Sequence, residues 1–502
     1  MDVVDTVQNA GAAPGIVQPW TDSGLAVTFT IDPHTGLGGA VSRVLATGAR
    51  PVAVMDALRL GPLDASGTRG ELPDVVAAIG HANDLGLPTI GGEVVFDPVY
   101  QGNTLVNVLC VGVAEGSVDD TGRVPDGEAP TLQEHPVPDG PGVRPDWIDG
   151  LNADRAEVLP RASGADLGQH LLRLVGSPHL CDRSWITDQF DRYVGGNTVL
   201  AQPEDAGVVR VDERTARGIA LALDNNPRYC LLNPYLGAQL ALGESYRNVA
   251  MTGARPVAAA TCLNVGPPDD PTVQWQLRES ALGLADGTAE LGTPVTDSTV
   301  GFQHHPGPSI HPTPLVAVLG VLDDVAGRTP LGFAYPGDAV VLVGETKEEL
   351  SGSVWADIVH GHLGGMPPMP NLAAEKALAH VLVEASGRRL LTSAHDLAEG
   401  GLAQALVESA LRHGLGVALT LPDGDPTVQL FSESPARAVV SLAGPQYAEF
   451  VALCTDAGVP FERLGEVIEE PVLEVHGQFR LDLSEVRARW AAPIRAALRG
   501  SG

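Results

Sequence analysis

Three polar stretches of this chain hold residue types that can handle phosphate, metal and protons. The first, Thr30-Ile-Asp-Pro-His-Thr-Gly-Leu-Gly-Gly39, sets Asp32, His34 and the glycines Gly36, Gly38 and Gly39 directly before a helical stretch at 40–46. A carboxylate can ligate a divalent cation, a histidine can accept a proton, and free amides at a glycine-rich helix start can face phosphate. The second, Ser393-Ala-His-Asp-Leu-Ala-Glu-Gly-Gly401, puts Asp396 just ahead of a Gly400-Gly401 helix start, a second placement suited to Mg²⁺ beside phosphate oxygens. The third, Phe431-Ser-Glu-Ser-Pro-Ala-Arg437, offers the hydroxyls of Ser432 and Ser434, the carboxylate of Glu433 and the guanidinium of Arg437 as a set able to hold an anion. Each stretch also has a plainer reading: a tight turn between strand and helix, a charged helix cap, a polar loop.

Other reactive residue types narrow the chemistry. The loop Gly344 to Ser353 follows a strand but lacks the Walker A order, and alone reads as a loop. Lys347 and Lys376 are the sole lysines, so phosphate contacts depend on arginine, backbone amides or metal unless Lys347 serves. His304, His305, His311, His360 and His362 match no common zinc spacing and read as loop histidines. Cys110, Cys181, Cys230, Cys262 and Cys454 form no CxxC pair and read as buried reduced thiols, not nucleophiles.

The elements that must position these residues come in duplicate. The string Thr-Gly-Ala-Arg-Pro-Val-Ala occurs at Thr47–Ala53 and again at Thr252–Ala258, 205 residues apart (252 − 47). Leu85–Val94 is answered by Leu291–Val300, and Thr104–Leu109 by Pro314–Leu319. So long a period indicates two homologous domains in one chain, paired about a pseudo-two-fold axis with ligand sites at the junction. Hydrophobic periodicity predicts strands at 24–31, 51–55 and 105–113 and a helix at 71–85, with the same order recurring over 208–322. Residues 117–168 are rich in Pro, Gly and Asp and read as a linker or loop-rich remnant, and 169–191 as a helical approach to the second copy. A third region, 338–465, has strands at 339–343 and 438–442 and helices at 372–384 and 402–413. At 502 residues and 44% hydrophobic content, the chain can fill three or four cores. A formal charge of −31 opposes binding to nucleic acid or anionic membranes, and the lack of a leader or long apolar run favours a soluble, cytoplasmic protein.

Together the motifs resemble the phosphoribosylformylglycinamidine synthases, the FGAR amidotransferases of the aminoimidazole ribonucleotide synthetase superfamily. The resemblance is carried by Tyr193–Leu200, Asn226–Tyr229, Asn233–Val249, Cys262–Asn264, Ile310–Pro314, Ser393–Gly401 and Phe431–Arg437. It implies an α/β (α+β) fold in which two A-type domains pair into a barrel, flanked by α/β B-type domains. The first, shortened A-type domain then covers 20–116, the Pro/Gly/Asp-rich linker and helical approach 117–184, the second A-type domain 185–334 and a C-terminal B-type domain 335–490. A first B-type domain of family size does not fit into 117–184.

The resemblance implies an ATP-dependent ligase of purine biosynthesis. ATP phosphorylates an amide oxygen, and ammonia displaces phosphate to leave an amidine. The chain has no glutaminase domain, so ammonia would come from a separate subunit or solution. His34 is then the proton acceptor, Asp32 a Mg²⁺ ligand, and Gly36, Gly38 and Gly39 the phosphate turn. This copy departs from the family pattern, with Thr30 in place of a lysine, Ser42-Arg43 in place of Arg-Asp, and Asp297–Gly301 in place of Ser-Gly-Asn-x-Ser. At the pseudo-symmetric site, carboxylates persist at Asp56 and Glu93, whose repeat partners are Thr261 and Thr299. That site is expected to bind nucleotide through Asp56, Gly400, Gly401, Ser432, Ser434 and Arg437, and Mg²⁺ through Glu93, Asp396 and Glu433. Two readings follow: an FGAR amidotransferase-like C–N ligase, perhaps redirected to an amide of specialised metabolism, or an eroded nucleotide-binding paralogue acting as scaffold or regulatory partner.

Overall fold

A computed structural model of the chain describes residues 15–20, 22, 24–33, 36–115, 142–303 and 309–499. It divides into two compact units, one of residues up to Pro145 with Ile186–Ser245 and Pro256–Val325, the other of Asp146–Trp185, Tyr246–Arg255 and everything from Ala326.

Unit 1 holds the duplication. Strands β1 (Ile16–Val17), β2 (Leu25–Asp32), β3 (Arg50–Leu60), β4 (Thr89–Phe96) and β5 (Leu105–Glu115) form one sheet in the order β1-β2-β5-β3-β4. Strands β6 (Thr198–Leu200), β7 (Gly207–Asp212), β8 (Arg217–Asp224), β9 (Arg255–Val265), β10 (Val295–Phe302) and β11 (Thr313–Leu322) form the other, ordered β10-β9-β11-β8-β7-β6. The order β2-β5-β3-β4 is thus repeated as β8-β11-β9-β10. Strands β3 and β9, which begin inside the repeated heptapeptide, also share one burial pattern along their length.

The sheets meet at two equivalent seams, β10 against β2 and β4 against β8. At the first, Gly15 N–H donates to Thr296 O at 2.7 Å, and the Thr299 hydroxyl donates to Ile31 O at 3.1 Å. Phe29, Ile31, Met55, Leu109 and Val111 from one copy and Leu221, Ala260, Leu315 and Leu319 from the other fill a single core. Neither copy buries that face alone, so the hydrophobic effect holds the pair together. The predicted paired barrel is what folds.

Unit 2 is a seven-stranded sheet built from β12 (Ala339–Val343), β13 (Ser393–Asp396), β14 (Gly416–Leu419), β15 (Ala438–Leu442), β16 (Phe461–Ile468), β17 (Val472–Val475) and β18 (Phe479–Asp482), ordered β13-β15-β12-β16-β14-β17-β18. Its helices include Val354–His360, Leu372–Gly387 and Gly401–His413.

One segment differs from the sequence expectation. Residues 116–141 lie outside the described residues, but the rest of the expected linker is largely ordered. Trp147–Ala153 and Ala165–Val175 are helices, and Leu167, Leu171, Leu174 and Val175 are buried in the core of unit 2 beside Trp355 and Leu350. The spacing of four, three and one residues puts these side chains on one helical face, a period concealed by the surrounding Pro, Gly and Asp.

Candidate active site

In unit 1 the stretch after β2 closes on itself. The Asp32 carboxylate accepts from Gly36 N–H at 3.1 Å, at the start of the helix Gly36–Ala46. Gly36 has φ +61°, a conformation glycine adopts without a Cβ penalty, while Gly38 and Gly39 lie in the first helical turn. The carboxylate therefore occupies one of the amides expected to face phosphate. His34 lies outside the described residues.

From that helix Arg43 reaches inward to a buried network. Its Nη2 pairs with Asp297 at 2.7 Å and its Nε donates to the Thr30 hydroxyl at 2.8 Å, which itself donates to Asp297 at 2.6 Å. Asp297 comes from the other copy, so the network ties the seam with charge. Burial raises the Asp297 carboxyl to about 6 despite Arg43 and Thr30. Thr30, Arg43 and Asp297, each a departure from the family pattern, bond to one another, which no local spacing announces.

Asp56 and Glu93 do not converge. Asp56 pairs with Gly92 across β3 and β4, whereas Glu93 pairs with Ala57. Side chains alternate along a strand, so Glu93 lies on the face opposite Asp56. Glu93, expected to bind Mg²⁺, is instead ion-paired with the fully buried Arg59. Asp56 itself is 3% exposed and no ion pair reaches it among the described residues, so burial raises its carboxyl to about 7. A Cβ at Gly92 would stand 2.3 Å from Asp56 O and 2.8 Å from its Oδ1, so only glycine leaves the carboxylate this space. Both Asp56 and Asp32 pair with Val108, which sets them on one face of the sheet, two strands apart.

In unit 2 most of the expected phosphate cradle is already satisfied. Gly400 N–H donates to Glu433 Oε1 at 2.8 Å, Gly401 N–H to Ala398 O at 3.0 Å, and Val354 N–H to the same Glu433 oxygen at 2.8 Å. Glu433 is a structural cap between a turn and a helix start, and the two glycine amides are not open to phosphate. Their positive φ values, +80° and +62°, instead permit close packing: a Cβ on Gly401 would stand 2.5 Å from Ser432 O.

The Ser432–Arg437 knot likewise binds its own chain. Ser432 donates to Lys347 O at 2.6 Å, Ser434 accepts from Lys347 N–H at 3.0 Å, and Arg437 donates to Ser434 O at 2.9 Å, to Ser432 O and to the Thr346 hydroxyl. Ser432, Ser434 and Arg437 fasten the loop at 346–349. The partners come from a distant part of the chain, and no local spacing announces them.

Asp396 belongs to a buried charged network of unit 2. It closes β13, 7% exposed, and accepts from Arg247 Nη2 at 3.2 Å. Arg247 also pairs with Glu375 at 2.5 Å, so one guanidinium serves two buried carboxylates. Burial raises the Glu375 carboxyl, and the nearby Asp396 charge adds to the rise. The excess of negative charge suits a divalent cation. Arg247 and Glu375 were not foreseen.

Comparison with known proteins places this geometry. Residues 25–114 and 203–322 match the AIR synthase related protein N-terminal domain, and 335–478 match the AIR synthase related protein C-terminal domain. The phosphoribosylformylglycinamidine synthase subunit PurL of Cutibacterium acnes is 44% identical, the match covering 95% of this chain and 87% of the relative. The Streptomyces coelicolor subunit of that name is 37% identical over 97% of this chain and 89% of its own length. The C. acnes alignment runs to 657 positions against a chain of 502, so at least 155 of them (657 − 502) belong to the relative alone. Among solved structures, Thermotoga maritima PurL complexed with ATP superposes with a TM-score of 0.58 at 18% identity over 93% of each chain. The same protein complexed with FGAR gives 0.58 at 18% identity, over 92% of this chain and 93% of its own. Those two structures bear on the fold alone. The chain belongs to the AIR synthase related family, as a relative of the phosphoribosylformylglycinamidine synthase subunits.

Proposed function

We propose that this chain is an FGAR amidotransferase-like, ATP-dependent C–N ligase that takes ammonia from a separate source. The observation that carries the reading is identity of 37–44% to phosphoribosylformylglycinamidine synthase subunits along almost the whole chain. The reaction transfers the γ-phosphoryl group of ATP to the amide oxygen of FGAR. Ammonia then adds at that carbon, phosphate leaves with the C–O electron pair, and an amidine remains.

Within unit 1, the Asp32 carboxylate holds the start of the helix Gly36–Ala46, and His34 is the proposed proton acceptor. Arg43 supplies a cation beside Thr30, held in place by Asp297. In unit 1 the buried Asp56, which no ion pair reaches among the described residues, and separately in unit 2 the carboxylate of Asp396 each fit oxygen ligation of Mg²⁺. The ion would neutralise phosphate oxygens when bound. Glu433 and Glu93 are already committed to amides and to Arg59, so they support the fold around these positions. The alignment to the C. acnes relative contains positions that this chain lacks. We assign them to a first B-type domain absent from this chain.

The test is turnover by the purified protein with ATP, FGAR and ammonium chloride. FGAR-dependent release of ADP and phosphate with amidine product supports the ligase. ATP binding without FGAR-dependent turnover would leave the scaffold reading standing.

A further inference from the structure

The polar knot at Ser432–Arg437 raises a question that the ligase reading leaves open: what is gained by pinning the 346–349 loop so firmly? Lys347 is held on both sides of its peptide by Ser432 and Ser434, yet its side chain stays 45% exposed, 3.9 Å from Glu345. It stands at a cleft of ≈ 200 Å³ in unit 2. Glu349 lines the same cleft. Its Oε1 accepts from Met369 N–H at 3.0 Å, while its Oε2 is buried with no hydrogen-bond partner among the described residues. Asn371 spends its carbonyl oxygen on Ala374 N–H as a helix cap, which leaves its amide NH₂ as a donor. Met369, Pro435 and Val459 supply apolar wall.

We propose that this cleft binds a free α-amino acid. The ammonium of Lys347 and the amide of Asn371 take the carboxylate, Glu349 Oε2 takes the α-ammonium, and the apolar wall takes a small side chain. An orphaned buried acceptor demands a donor, so a simple carboxylic acid leaves Glu349 unsatisfied. A simple amine satisfies Glu349 but leaves Lys347 without its anion. A nucleotide is too large, since pockets for drug-sized ligands run to roughly 300–1,000 Å³. A zwitterion with an ammonium and a carboxylate on the same carbon meets all three conditions. The site is lined wholly by unit 2 and does not depend on the ligase assignment.

The experiment is titration calorimetry and thermal unfolding of the full chain with glycine, L-leucine, L-methionine and L-glutamine. L-Leucine is compared with 4-methylpentanoate, which lacks the ammonium, and 3-methylbutylamine, which lacks the carboxylate. The expected result is saturable binding of at least one of the four amino acids, with no binding of the two controls. Lys347→Met should weaken it at least tenfold, as should Glu349→Gln. Lys347 is half-exposed, so its variant should keep the ligand-free Tm and report on binding even where Glu349→Gln unfolds. No binding by any of the four amino acids, equal binding of either control, or full affinity in Lys347→Met would overturn the proposal.

Discussion

Two buried aspartates in unit 1 show how the same residue type is used in opposite ways. Asp297 is charge-paired by Arg43, whereas Asp56 has no cation and is raised from an ordinary 3.8 to about 7. A folded-state value above the unfolded one means that the folded protein binds that proton more tightly. The contribution to stability is full below about 4 and is lost as pH rises through about 7. Asp56→Asn, which keeps shape and removes the charge, should therefore stabilise the metal-free protein at pH 8 by up to about 4 kcal/mol, with the gain fading towards pH 4. Urea unfolding at several pH values checks this, and a destabilised variant at pH 8 would contradict it. Arg43→Met should act the other way. It strands Asp297 without a counterion and should cost about 3–5 kcal/mol, part of which Arg43→Met/Asp297→Asn should restore. A single-variant loss under about 1 kcal/mol, in the range of an exposed pair, would show that the network is not the tie across the seam.

At the scale of elements, the helix Ala165–Val175 decides whether the segment before the second copy is a connector or part of a core. Its buried face packs in unit 2, so Leu171→Ala should cost about 2–5 kcal/mol and lower the unfolding midpoint. A connector would tolerate the change within about 0.5 kcal/mol. What was legible in the sequence follows the same logic. The repeated heptapeptide marks β3 and β9 because both copies need the same buried strand, and the apolar runs of β5, β12 and β15 are plain for the same reason. Site geometry was less legible because strand parity and distant partners decide it. Asp56 and Glu93 stand out together because their repeat partners are Thr261 and Thr299, but the pairing of Asp56 with Gly92 sends them to opposite faces. Gly400 and Gly401 were read correctly as a special turn, but their amides are taken by Glu433 and Ala398, which no local pattern states. Arg247 and Glu375 lie 128 residues apart, and nothing short of the fold joins them.

For the whole molecule, the proposed function implies a division of labour between carboxylates that hold the fold and those that remain for cations. Asp396 is the most informative of the second group because its ligand-free cost and its ligand-bound value have opposite signs. Arg247 must neutralise both Glu375 and Asp396. Asp396→Asn relieves that excess charge, so the ligand-free protein should unfold at an unchanged or higher temperature. With Mg²⁺-ATP or Mg²⁺-ADP the same change removes a cation ligand. A ligand that binds only the folded state at a hundredfold excess over Kd stabilises by about 2.7 kcal/mol, and each tenfold loss of affinity removes about 1.4 kcal/mol of that. The nucleotide-dependent rise in Tm should therefore shrink by half or more in Asp396→Asn, while His34→Ala leaves it intact. Thermal unfolding with and without nucleotide, at fixed Mg²⁺, separates the outcomes. If Asp396→Asn keeps the full rise while His34→Ala loses it, nucleotide is held by the turn after β2 and the carboxylate excess at Arg247 has another purpose.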